Sequence, residues 1–257
     1  MKIILHPDYI PRYDNTPAGD YGRLEPAIEL LRKDSSYEFI TPMPAKIEDI
    51  ERAHKKSHIK SIKNWNFGHD ERLYKIALLG AGGSILCANI AKEGEPAFGL
   101  IRPPGHHASS DSCWGFCYFN NIAVSLLHLK AASECKRALI LDFDLHYGDG
   151  NVSILGSMKE YEILNPDAHN EKEYLDNVKR ALDHAKPCDI IVASAGFDQG
   201  ITDWGGLLSA NSYFEIGKMM KNFSISKCKG RRYALLEGGY NFKDMAYNIE
   251  AFCEGFR

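Results

Sequence analysis

Five short apolar runs punctuate this chain, at residues 2–5, 97–101, 138–141, 190–193 and 233–236, and each is followed at once by a polar or ionisable residue. The last four, apolar throughout, fit strands buried on both faces, and the first, which begins with Lys2, is a short β-rich opening. Between them lie longer stretches of helical spacing, at 24–31, 48–56, 73–91, 120–130, 171–185 and 209–222. Strand–helix alternation of this kind predicts an α/β fold, a mainly parallel sheet covered by helices. In such sheets ligands bind off the carboxyl ends of the strands. The chemistry is therefore expected where each run ends.

No low-complexity segment, linker or repeat divides the chain, and 44% of its residues are hydrophobic, enough for one large core. The net charge of −3 leaves no basic footprint, so no nucleic-acid partner is expected. Seven cysteines form no CxxC pair. The opening residues carry no secretory pattern, and no apolar stretch reads as long enough to span a bilayer. A reduced cytoplasmic location with free thiols and no membrane association is expected. Stretch 73–91 is apolar on nearly every face and predicts a buried helix; Gly80, Gly82 and Gly83 inside it predict close packing, not a dinucleotide loop.

Run 138–141 leads into Asp142-Phe143-Asp144-Leu145-His146-Tyr147-Gly148-Asp149. Alternate residues of an extended chain point the same way, so Asp142, Asp144 and His146 share one side where the strand leaves the sheet. An acidic turn after a strand is common. Three ionisable groups there are nonetheless costly to desolvate unless something pairs them. Two spaced i, i+2 can chelate one metal, with the third supporting from behind. Run 190–193 continues into Ser194-Ala195-Gly196-Phe197-Asp198. Alone, Asp198 would read as a turn or cap residue. With Asp144 and His146 it completes a two-carboxylate, one-imidazole set that leaves a position for water, as a catalytic metal site requires. Zinc suits this set, as do iron(II), cobalt(II) and manganese(II).

Run 97–101 enters Arg102-Pro103-Pro104-Gly105-His106-His107, a rigid turn presenting tandem histidines as general-base candidates. Each needs an acceptor to fix its tautomer, and Asp142 and Asp149 are available. Adjacent side chains diverge in an extended chain, so only one histidine is expected to face the reacting water. Run 233–236 enters Glu237-Gly238-Gly239-Tyr240, where the glycines allow a turn that exposes a phenol able to donate to an oxyanion. After the histidines comes an aromatic cluster in which Phe116 is expected to line an apolar tunnel while Cys117 and Phe119 pack in the core. The remaining histidines, His54, His58, His69, His128, His169 and His184, read as structural or surface residues.

Taken in order, RPPGHHA, GFCYFNNIA, LDFDLHYGDGN, SAGFD and EGGYN resemble the histone deacetylase superfamily, which includes acetylpolyamine amidohydrolases and acetoin-utilisation proteins. GFCYFNN and SAGFD are closer to its class II and bacterial branches, and the similarity extends over nearly the whole chain. The resemblance implies a single arginase-like domain over 1–257, with a central, mainly parallel sheet of about eight strands and helices on both faces. It implies that Asp144, His146 and Asp198 bind zinc. It also implies a catalytic pair, His106 and His107, partnered by Asp142 and Asp149, with His107 as the base. Tyr240 would polarise the substrate carbonyl, and Gly115 and Phe116 would form one tunnel wall. A potassium ion behind the zinc, held in part by Asp142, Asp144 and His146, is implied as well. The activity implied is metal-assisted hydrolysis of an N-acyl amide, with an acylated lysine, polyamine or small amine as substrate.

The chain departs from the family pattern at residues 152–164, where typical members carry a much longer segment with a second aromatic tunnel wall and potassium ligands. That puts the opposite wall and the full potassium site in doubt and predicts a shallower, more open pocket. Two other readings compete. An arginase-type dimetal hydrolase would need a further aspartate two residues after Asp198, where Gly200 stands. A non-hydrolysing acyl-lysine binding module would not need the catalytic positions, all of which are filled.

Overall fold

The computed structural model describes residues 1–65 and 72–257. Its sheet contains β1 (Lys2–Ile4), β2 (Glu38–Ile40), β3 (Ala97–Gly99), β4 (Ala138–Asp142), β5 (Tyr161–Leu164), β6 (Ile190–Ala195) and β7 (Arg232–Leu236), in the order β2-β1-β3-β7-β6-β4-β5. Every neighbouring pair is parallel. The expected α/β class therefore holds, and each of the five apolar runs is a strand. The strand count is seven among the described residues, not about eight. Strand β2, only three residues long, lies at a sheet edge with no fully buried position, so it leaves little apolar signal.

The helices are α1 (Glu25–Leu31), α2 (Ile47–Ile50), α3 (Lys56–Lys63), α4 (Arg72–Lys92), α5 (Asn121–Ala131), α6 (Asp149–Leu155), α7 (Glu171–His184), α8 (Ala210–Lys227) and α9 (Phe242–Phe256). They pack in two groups, α4 with α5 and α7 with α8 and α9. Both groups touch β7, as helices on the two faces of one sheet do. The single helix expected over 48–56 is instead α2 and α3 with a break between them. There the Lys55 amide donates to Ser110 O, and the buried His54 ring bonds Ser109 O and Asn120 N, which draws the chain out of the helix.

Helix α4 is buried as predicted and runs against β1, β3 and β7. A Cβ on Gly82 would lie 1.9 Å from Met43 O, so only glycine permits this approach. Contrary to the sequence reading, α4 is long and apolar enough by composition to cross a membrane. Its apolarity has another destination, since most of it is buried between the sheet and α5. His54 and His58 are buried and hydrogen-bonded, and His128 bonds Asp49, in line with structural roles. His69 lies outside the described residues.

The four adjacent strands β3, β7, β6 and β4 deliver their following segments to one end of the sheet. Those segments carry His106 and His107, Tyr240, Asp198, and Asp142 with Asp144 and His146. Residues far apart in sequence are thus gathered where parallel sheets bind ligands.

Candidate active site

The Asp144, His146 and Asp198 side chains place their ligand atoms within 4.8 Å of one another. His146 Nδ1 lies 3.2 Å from Asp144 Oδ1 and 3.1 Å from Asp198 Oδ2. Main-chain amides hold both carboxylates: Gly238 N donates to Asp144 Oδ2 at 2.8 Å and Leu145 N to Asp198 Oδ1 at 3.0 Å. A Cβ on Gly238 would come within 2.6 Å of both carboxylates, so its absence leaves them room. Burial, together with the Asp144 charge, pushes Asp198 up to about 7. Asp144 is equally buried, yet His106 and hydrogen bonds from His146 and Gly238 hold it below the usual carboxylate range. The two carboxylates draw the His146 imidazole up to about 10. Two buried carboxylates facing one imidazole form an oxygen-rich set with excess negative charge, which a divalent cation would balance. The residues fit a metal.

Each tandem histidine has the carboxylate partner the sequence offered it. His106 Nδ1 is 3.3 Å from Asp142 Oδ2, and His107 Nδ1 is 2.6 Å from Asp149 Oδ1. Asn151 Nδ2 also donates to Asp142 Oδ2, at 3.0 Å, steadying it from behind. The two histidines do not diverge as an extended chain would require. Residues 106 and 107 sit in a turn, and their ring centroids are 3.9 Å apart on one pocket. Burial works against the His106 cation, but the Asp144 and Asp142 charges overcome it and raise its pKa. His107 goes the other way, lowered to about 4 by burial and by the neighbouring His106. Two like groups side by side are thus shifted in opposite directions.

The pocket is about 300 Å³ and is lined by His106, His107, His146, Phe116 and Tyr240 together with two indoles, Trp114 and Trp204. Gly115 (φ 57°) and Phe116 (φ 65°) both adopt the left-handed region. That conformation is uncommon for phenylalanine and marks a segment held in place by its surroundings. A Cβ on Gly115 would lie 2.3 Å from the His107 ring, and Phe116 meets Tyr240 edge-on at 5.9 Å. Cys117 and Phe119 are in the core, as expected.

Residues 19–175 and 167–256 match the family described as the histone deacetylase domain. The chain belongs to this family. Among histone deacetylase relatives, a probable deacetylase of Archaeoglobus fulgidus is 28% identical, the match covering 93% of this chain and 81% of that protein. A probable deacetylase of Methanothermobacter thermautotrophicus is 34% identical over 166 residues, 60% of this chain and only half of the relative. A histone deacetylase-like amidohydrolase of Pseudomonas aeruginosa is 27% identical over 85% of this chain and 70% of its own length. The solved structure of the HDA15 HD domain superposes with a TM-score of 0.84 at 21% identity, covering 98% of this chain and 88% of that one, and shares the fold.

Within this deacetylase frame the short 152–164 segment does not leave Phe116 as the sole aromatic wall. Trp204 arrives from the loop after Asp198 and Trp114 from the segment before Phe116, and both join the pocket lining. The sequence reading missed both indoles. The available signal was two tryptophans, each within seven residues of a candidate site residue. Trp114 Nε1 donates to Asp149 Oδ2 at 2.9 Å, and its ring lies 3.8 Å from that of His107. Also missed was Asp203, whose Oδ2 accepts the amides of Tyr240 and Asn241 at 2.6 and 2.7 Å. The buried Arg23 guanidinium donates to the carbonyls of Glu237 and Gly239 and fixes the Tyr240 turn from below.

Proposed function

We propose that this chain is a zinc-dependent deacylase that hydrolyses a linear N-acyl amide, with an acetylated lysine, polyamine or small amine as substrate. The observation that carries this reading is the convergence of Asp144, His146 and Asp198 with His106, His107 and Tyr240 on one pocket. A divalent metal held by Asp144, His146 and Asp198 would supply polarisation of the amide carbonyl and a more acidic water.

The chain's own groups do the rest. His107 is neutral at pH 7, and with Nδ1 committed to Asp149 its Nε2 is the nitrogen available to accept a proton from the attacking water. His106, paired through Nδ1 with Asp142 Oδ2 at 3.3 Å, is the group that delivers a proton to the leaving amine. Burial keeps the Tyr240 phenol protonated, so its hydroxyl donates to the oxyanion as it develops. Phe116, Trp114 and Trp204 give the acyl arm an apolar, aromatic surround.

The test is turnover of acetyl-lysine peptide, trifluoroacetyl-lysine, acetylputrescine and acetylspermidine by the zinc-loaded protein. Tyr240→Phe should lower kcat on the preferred substrate by about 100-fold or more with metal content unchanged. Equal activity in that variant removes the tyrosine from the scheme. Binding of acetyl-lysine peptide without turnover would replace the enzyme with an acyl-lysine binding module.

A further inference from the structure

The last strand of the central sheet, β7, is buried along its whole length, and the next residue, Glu237, is an ionisable side chain with no exposed surface. Burying such a group is unfavourable unless hydrogen bonds compensate. Its Oε2 accepts two consecutive main-chain amides, Gly105 N at 2.6 Å and His106 N at 3.2 Å. The next amide, His107 N, donates to Cys117 Sγ at 3.4 Å. Acceptors from two other pocket segments therefore hold the backbone of the tandem histidines. One adjoins the Tyr240 turn and the other adjoins Phe116. The His106, Cys117 and Glu237 side chains converge to within 4.8 Å.

We infer that Glu237 is a positioning residue that locks the His106–His107 turn to the Gly238–Tyr240 turn and so sets the distance between the proton-transferring and oxyanion-binding groups. The inference rests on the deacylase reading above for what those groups do. Within the four residues 237–240, Glu237 accepts from the histidine loop, Gly238 N donates to Asp144 and Tyr240 faces the pocket. The other carboxyl oxygen, Oε1, is buried without a protein partner. A packing role alone would be better served by an apolar side chain of similar volume, because a half-satisfied buried carboxyl is destabilising. What an apolar side chain cannot do is accept two buried N–H groups. There is little slack around them, since a Cβ on Gly105 would already lie 2.6 Å from Asn121 N.

The experiment compares Glu237→Met, which keeps the volume and removes the acceptor, with Glu237→Gln, whose amide oxygen can still accept both N–H groups. Displacing reacting groups by about 1 Å costs on the order of 100-fold. Glu237→Met should lower kcat by about that factor, with KM within about twofold and metal content unchanged; Glu237→Gln should recover most of it. Hydrogen exchange of the 103–108 segment, followed by mass spectrometry, should accelerate at least about tenfold in the Met variant and not in the Gln variant. Exchange needs no substrate. Accelerated exchange in a protein that hydrolyses no acyl amine would keep the clamp and remove the deacylase reading beneath it. Unchanged exchange and kcat in Glu237→Met, or a Gln variant as impaired as the Met variant, would overturn the inference. If the Met variant does not fold, Glu237→Ala is read in the same two ways.

Discussion

The indole of Trp204 lies on the phenol ring of Tyr240, with centroids 4.1 Å apart and planes 29° from parallel. Phe116 meets the same ring edge-on, so Tyr240 is held by two aromatic neighbours from different loops. More than half of Trp204 remains exposed, and it also lines the pocket. An aromatic pair of this kind contributes about 0.5–1.5 kcal/mol beyond burial. Trp204→Ala should therefore lower kcat/KM about three- to tenfold, and Trp204→Phe should restore most of the loss. Unchanged steady-state kinetics in the alanine variant would mean the indole merely sits at the surface.

Asp149 serves two groups at once, taking His107 Nδ1 on one oxygen and Trp114 Nε1 on the other. Burial acts against its charge, but those two donors prevail and lower its pKa. Asp149→Ala leaves the His107 tautomer and ring orientation unset. Losses at such supporting carboxylates run to about 10–100-fold. We expect a fall of that size in kcat, with metal content and KM near wild type. A change confined to KM would place Asp149 in substrate binding instead.

His54 makes fold stability depend on pH. Its Nδ1–H donates to Ser109 O and its Nε2 accepts Asn120 N–H, both at 2.9 Å, a pattern only the neutral ring can satisfy. Burial, reinforced by His58, pushes it down from 6.5 to about 3. The folded value lies below the unfolded one, so between these pH values the unfolded chain binds the proton first. Stability is then fully present above pH 6.5 and declines as pH falls towards 3. Between pH 7 and pH 5 this group alone should account for a loss of about 2 kcal/mol. Chemical denaturation of wild type and His54→Gln at both pH values measures it: the glutamine variant should lose less on acidification, and parallel losses would contradict the assignment.

The sites that could be read in the sequence share one cause. Asp144, Asp198, His106 and Tyr240 follow the apolar runs that became β4, β6, β3 and β7, and parallel strands must deliver such residues to one end of the sheet. Their ordered motifs then pointed to the family, which residues 19–175 and 167–256 bear out. What was illegible depends on contacts between loops. Trp204 gains its role only by lying on Tyr240, and Glu237 by reaching the amides of a segment more than 130 residues away. The tandem histidines do not diverge, because the chain turns at residues 106 and 107 and does not run extended there. Helix α6 is hidden by Gly148 and Gly150 at its start, which lower its local helical preference. Helix α9 was missed, although Met245, Ile249, Phe252 and Phe256 recur at helical spacing on its buried face.

On the proposed scheme, one metal on Asp144, His146 and Asp198 is required for deacylation. The most direct measurement is turnover of the preferred acyl-amine substrate by metal-stripped protein as zinc is added back, with Asp198→Asn alongside. Activity should be negligible without metal, rise linearly and level at one equivalent per chain, with little recovery in the variant. Full activity in the stripped protein, or a plateau only at two equivalents, would contradict this scheme.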